Sequence, residues 1–312
     1  MNVLLRCVVL TLAGFGVAYV VAVLVVALHW ARHRPTGLAS ARAAALLRLR
    51  LVPIVTACTV LVFAGSGLFR FESREGDEVL GWTLWSLGGF GAALLAVITV
   101  RLVRLHWRTR ALVRTWMADA APFVWPGLTL PAFRLSTGFP VVAVLGILRP
   151  RLVIDQTVLD SCSPDEVAAI LAHEQGHVRR LDNLRRLVFA AAPGVPWPTG
   201  LSQAWRDATE EAADDEAAAT GPDTRFHLAT ALLRVSRLAP HEDGWHTELP
   251  ASALYRGEGL ERRVRRLVGT PDTPSPQPYP WVFAAAVVAL TTGFALQRQV
   301  HDLMEVLVAS LP

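Results

Sequence analysis

Four long apolar runs constrain this chain more than any other feature. The hydrocarbon core of a bilayer is about 30 Å thick, so a spanning helix needs about 20 mostly apolar residues. Residues 7–30, 51–69, 79–100 and 281–297 approach or exceed that length, the last being the shortest. Hydrophobic residues make up 53% of the chain, charged ones only 18%, and the mean hydropathy is +0.38, a balance that points to lipid as part of the solvent. The first run follows Arg6, but it is too long for a signal peptide and no clean small-residue cleavage site follows it. Trp30, Trp82, Trp107 and Trp281 stand near the ends of runs, where an amphipathic ring suits the membrane interface.

Arginine placement predicts the orientation, because basic residues accumulate in cytoplasmic loops. Arg32, Arg34, Arg42, Arg48 and Arg50 follow the first run with no acid among them. The loop after the second run mixes Glu72, Glu75, Asp77 and Glu78 with Arg70 and Arg74. Arg101, Arg104, Arg108, Arg110 and Arg114 follow the third run, and Arg256, Arg262, Arg263, Arg265 and Arg266 precede the fourth. These signals place both termini outside the cell and the stretch between runs three and four in the cytoplasm. All 30 basic residues are Arg, with no Lys, which reads as a genomic base-composition bias. Their position beside the runs is explained by anionic lipid, so the pI near 9.5 calls for no nucleic-acid partner. Cys7, Cys58 and Cys162 give neither a disulfide framework nor a paired metal motif.

The chemistry is concentrated in His173-Glu174-Gln175-Gly176-His177. On a helix, positions four apart share one face, so two imidazoles here can bind one tetrahedral zinc ion. Glu174 then stands beside the metal, where it can accept a proton from a bound water. Ser163-Pro164-Asp165-Glu166 reads as an N-cap, a first-turn Pro and a capping-box Glu, which places the pentad well inside a helix. The apolar pattern carries that helix on through Asp182-Asn183.

A catalytic zinc needs a third protein ligand and one open position. The acidic run 208–217 offers Glu210, with Asp214 on the same helical face to accept the N–H of a ligand histidine. Glu211 and Asp215 have the same spacing one residue later, so the register stays open at this point. A solvated acidic face is the competing reading. Ala213 and Ala217 beside Glu210 and Asp214 argue instead for close helix packing.

The remaining cytoplasmic stretch is long enough for one compact domain. Pro122, Pro126 and Pro131 suggest a loop, followed by two strands over 139–148 and 151–154 joined near Arg149-Pro150. One of these strands offers an edge along which a peptide substrate can lie. Residues 184–189 form an amphipathic segment, read as a core helix ahead of a membrane-surface one. Further helices are expected over 225–238 and 258–268, then a Pro-rich linker to residue 280.

These motifs resemble those of the membrane-bound antirepressor metallopeptidases of the BlaR/MecR type, and more distantly the HtpX and CAAX-processing membrane peptidases. The matching pieces are Gly146-Ile147-Leu148-Arg149-Pro150, the stretch from Ser163 through the pentad, Asp182-Asn183, Pro196-Trp197 and the E-x-x-A-D run from Glu210 to Asp214. The resemblance implies a mainly α membrane protein. Three spans would occupy 1–114, a cytosolic α+β zincin-like peptidase domain 115–280, and a fourth span with a short outer tail 281–312. It implies one zinc ion per chain held by His173, His177 and Glu210, with Glu174 as general base. Asp214 and the acid at Asp182 would stand behind the ligands. Only about a dozen residues follow the fourth run, so the large sensor domain of the penicillin-responsive members is not expected. The expected substrate is a protein or peptide, such as a transcriptional repressor. Membrane quality control and a non-catalytic scaffold role are the alternatives. A donor to the oxyanion is expected, with His227, His241, His246 or an Arg as candidates.

Overall fold

The computed structural model describes residues 3–71, 80–136, 141–191, 199–238, 259–269 and 306. The expected fourth span, the Pro-rich linker, the Pro196-Trp197 segment, His241 and His246 lie outside them.

Three helices come first: α1 (Val3–Arg32), α2 (Ala39–Phe71) and α3 (Trp82–Ala118). Each contains a stretch long and apolar enough to cross a membrane. α1 packs on both of the others. Small residues set the distance between α1 and α3: a Cβ added at Gly91 would lie 1.9 Å from the Leu12 carbonyl oxygen, and one at Gly88 would lie 2.8 Å from Val9 Cγ1. Where lipid surrounds the helices, such close backbone approach replaces the hydrophobic effect as the source of packing energy.

Two of these helices outrun the apolar segments. α2 starts at Ala39, so Arg42, Arg48 and Arg50 lie on the helix and not in a loop. α3 has 37 residues, about 55 Å at 1.5 Å per residue, well beyond a bilayer core. Its far end leaves the apolar part at Arg101 and joins the second half of the molecule. There Leu112, Val113, Trp116 and Met117 cover one face of a sheet.

That sheet has four strands, β1 (Ala121–Phe123), β2 (Ala132–Leu135), β3 (Val142–Leu145) and β4 (Arg151–Asp155), in the order β1-β2-β4-β3. β2 runs parallel to β4, while the other two pairings are antiparallel. Residues expected as a Pro-rich loop therefore contain two short strands. Pro122 is tolerated because β1 is an edge, where a missing N–H breaks no interior ladder. The β3–β4 hairpin matches the two expected strands, shortened at the first. Gly146 turns it with φ 89°, and a Cβ there would meet the Arg149 carbonyl oxygen at 2.7 Å.

β4 alternates strictly. Leu152 and Ile154 enter one core with Val142, Ile170 and Leu228, and Val153 enters the other with α3. The first core is roofed by α4 (Gln156–Ser161), α5 (Pro164–Arg179), α8 (Thr224–Leu238) and α9 (Leu260–Val268). Each fully buried Leu or Ile in it contributes about 1.5–3 kcal/mol. α6 (Asp182–Ala191) and α7 (Thr199–Ala218) fill the space towards α2 and α3. Phe189 stacks on Trp205 at 4.3 Å, so α6 is a core helix. Trp30 is buried with them among Ala43, Leu46, Leu201 and Ala208. Cys162 is buried and unpaired.

Candidate metal centre

α5 begins as its sequence demands. Ser163 Oγ accepts from the Glu166 N–H at 3.2 Å, and Glu166 Oε2 accepts from the Ser163 N–H at 2.8 Å. Pro164 occupies the first turn, where it breaks no helical bond. Three turns on, His173, Glu174 and His177 are buried on the face towards α7.

The helix does not continue through Asp182 as the apolar pattern suggests. It ends at Arg179, and Leu181 adopts φ 54°, a left-handed conformation that costs a leucine about 1–2 kcal/mol. The turn has a local payoff in geometry. It swings Asp182 back so that its Oδ2 accepts from His177 Nδ1 at 2.8 Å. Arg180 and Arg185 flank the same carboxylate at 3.1 and 3.4 Å. The next residue, Asn183, donates through Nδ2 to the carbonyls of Val144 and Gly146, each at 2.9 Å, and so fixes the start of α6 to the β3 edge.

α7 supplies the opposite wall, and its register is unambiguous. Glu210 Oε2 lies 3.5 Å from His173 Nε2, and Glu210 Oε1 lies 3.6 Å from His177 Nε2. Asp214 Oδ1 is 3.0 Å from His173 Nδ1. Glu211 and Asp215 face away, to Arg42 and Arg262 and to Arg266 respectively. Ala213 and Ala217 are fully buried, as close packing of α7 requires.

Each imidazole thus presents Nδ1 to a carboxylate and Nε2 to its neighbour, with the two Nε2 atoms 3.2 Å apart. Carboxylates at Nδ1 favour the tautomers in which both Nε2 atoms carry lone pairs. Two lone pairs and a carboxylate oxygen converging in a buried place need a cation between them. Ligand atoms about 2.0–2.1 Å from a tetrahedral ion lie about 3.3–3.4 Å from one another. The 3.2 Å gap between the two Nε2 atoms is close to that spacing, and the Glu210 carboxylate spans the pair with one oxygen near each, at 3.5 and 3.6 Å. Glu210 Oε2 is buried and has no hydrogen-bond partner among the described residues. His173, His177 and Glu210 therefore form a group that could hold a metal ion.

The surrounding carboxylates favour positive charge at this place. Burial would lower the His177 pKa, but the Glu210 charge and the Asp182 hydrogen bond outweigh it and raise the value to about 9. Burial would raise Glu210, yet His177, His173 and Arg263 hold it well below the usual carboxylate range. Asp182 is likewise held low against burial, by His177 and Arg180. For Asp214 the counter-charge is Arg263, which donates Nε and Nη2 to the two carboxylate oxygens at 2.8 and 2.7 Å. Glu174 is fully buried, and its charge helps to raise His177 and Arg263.

Sequence reasoning missed the arginines. By sequence Arg263 is one of the arginines that anionic lipid explains, and Arg186 falls within the amphipathic segment 184–189. In the fold Arg186 lies 3.0 Å and Arg263 3.4 Å from Glu210. Arg262, Arg263 and Arg266 all pair with acids of α7, so neither a lipid surface for them nor a solvated acidic face on α7 describes this region. The run of arginines over 262–266 is plain in the sequence, but no local pattern ties any one of them to an acid of α7. His227 lies on α8.

A sequence model of the BlaR1 peptidase M56 family matches residues 82–265, from the start of α3 into α9. The chain belongs to the BlaR1 peptidase M56 family. The match takes in every residue of the centre, including Asp182, Asp214 and Arg263. No curated protein gives a significant match.

Proposed function

We propose that this M56 peptidase is an integral-membrane zinc endopeptidase that cuts a cytosolic or membrane-proximal protein. The observation that carries the reading is the buried convergence of His173, His177 and Glu210 with Glu174 beside them. Two imidazoles and one carboxylate are a catalytic zinc donor set, which leaves a fourth position for water or substrate. When bound, zinc supplies Lewis-acid polarisation of the scissile carbonyl and lowers the pKa of its water towards 7.

The protein's own groups divide the remaining work. Glu174 takes the proton of the attacking water and returns it to the leaving amine. Asp182 and Asp214 hold the two imidazoles in the tautomer that presents Nε2. Arg263 keeps Asp214 ionised, and Arg186 with Arg263 orients the Glu210 carboxylate. Either arginine is a candidate for the positive charge that meets the developing oxyanion. The exposed arginines on α3 beyond residue 100 support a cytoplasmic domain by the positive-inside rule. The resemblance to the antirepressor peptidases favours regulated cleavage, with a transcriptional repressor as the substrate class.

The test compares cells expressing the normal chain with cells expressing Glu174→Gln. The variant should retain one zinc ion per purified chain and lose cleavage, and one protein should appear cut only with the normal chain. A cellular role that survives Glu174→Gln would show that hydrolysis is not what the protein is for.

A further inference from the structure

Glu210 and Glu211 are neighbours that face different worlds. One points at the histidine pair, and the other is buried against α2. The Glu211 carboxylate, 5% exposed, pairs with Arg42 in the first turns of α2 and with Arg262 Nε at 2.9 Å on α9. We propose that Arg42 is a positioning residue for the metal centre: by holding Glu211 it fixes the rotation of α7, and with it the place of Glu210. The inference rests on the zinc reading above. Arg42 lies outside the stretch that matches the family.

The magnitudes make the contact matter. Side chains stand about 5–6 Å from a helix axis, so a roll of about 10° displaces a carboxylate by about 1 Å. Metal–ligand distances tolerate only about 0.2 Å. α7 therefore needs a stiff restraint on its roll, close to residue 210 and on a different side from the site. Arg42 supplies one next to the ligand. An apolar contact supplies its backing: Leu201, Trp205 and Ala208 of α7 are buried against Val26 and Trp30 of α1 and Ala43 and Leu46 of α2. Arg50 of α2 also donates to the Phe189 carbonyl at 3.2 Å, beneath the ring that stacks on Trp205. α2 is a 33-residue helix gripped along its length by α1, whereas α9 is a nine-residue helix and Arg262 is half exposed. The heavier anchor is a candidate membrane-spanning helix, so the geometry of the centre is set in part by the helix pair α1–α2.

The experiment measures metal affinity, not cleavage. Full-length chain in detergent is titrated with zinc against a fluorescent chelator, and with cobalt for its visible absorption. The normal chain should take one ion. Arg42→Ala should lose on the order of tenfold in affinity, as changes behind metal ligands do, and should alter the cobalt spectrum. Arg42→Lys should recover most of the loss, because only Nη2 makes the contact. Arg206→Ala, which removes two bonds to Gln203 within α7 alone, should leave both readouts unchanged. Should Arg42→Ala not fold, Glu211→Gln, which keeps the side-chain volume, reads the same quantity. A lowered melting temperature with unchanged metal affinity and spectrum in the Arg42 and Glu211 variants overturns the inference and leaves the zinc reading standing. A normal chain that takes up no ion overturns both.

Discussion

At the scale of single residues, the centre depends on charges that are individually costly to bury and are stable only as a set. Removing one member while leaving its partner buried typically costs 3–5 kcal/mol. Asp214→Asn leaves Arg263 without its bidentate partner, so the variant should melt well below the normal chain and bind zinc about 10–100-fold more weakly. Chelator competition on folded material separates the two effects. Glu210→Ala should abolish stoichiometric metal, whereas Glu211→Ala should only weaken it, and the reverse ranking would move the ligand by one position. The helical spacing of the pentad, its capping box and the Glu210–Asp214 face could all be read from chain order, because each is a local pattern. Arg263 could not, because its partner stands 49 residues earlier and nothing local distinguishes it from Arg262 or Arg265. Leu181 was equally hidden: a left-handed turn without glycine leaves no mark on composition.

At the scale of elements, helix boundaries depart most from the sequence reading. Apolar content marks where lipid can surround a helix, not where the helix ends. α2 therefore begins before its apolar part and α3 continues past its own. The strands β1 and β2 escaped notice because three prolines dominate their surroundings and each strand is only three or four residues long. The α1–α3 contact yields a paired prediction. Gly91→Ala forces a methyl into the Leu12 carbonyl and should destabilise the helix pair by about 1–3 kcal/mol. Gly89→Ala, with nothing within 4 Å, should be neutral or gain up to about 1 kcal/mol of helix propensity. Thermal melts in detergent compare the two, and equal melting temperatures would show that the close approach is absent.

At the scale of the whole molecule, the centre is the meeting point of α5, α6, α7 and α9, with α2 behind it. Metal bound there stabilises every contact among those elements, because an ion that binds only the folded form adds RT ln(1 + [L]/Kd), about 2.7 kcal/mol at a hundredfold excess over Kd. Zinc removal by a chelator should therefore lower the melting temperature of the normal chain and leave that of His173→Ala unmoved. An identical response in both would mean that the chelator acts elsewhere. The order of these elements along the polypeptide has a consequence in time. During synthesis both histidines and Glu210 leave the ribosome before α9 does, and until then Asp214 has no guanidinium to neutralise it. Docking of α9 is thus the step that completes the buried charge set of the centre.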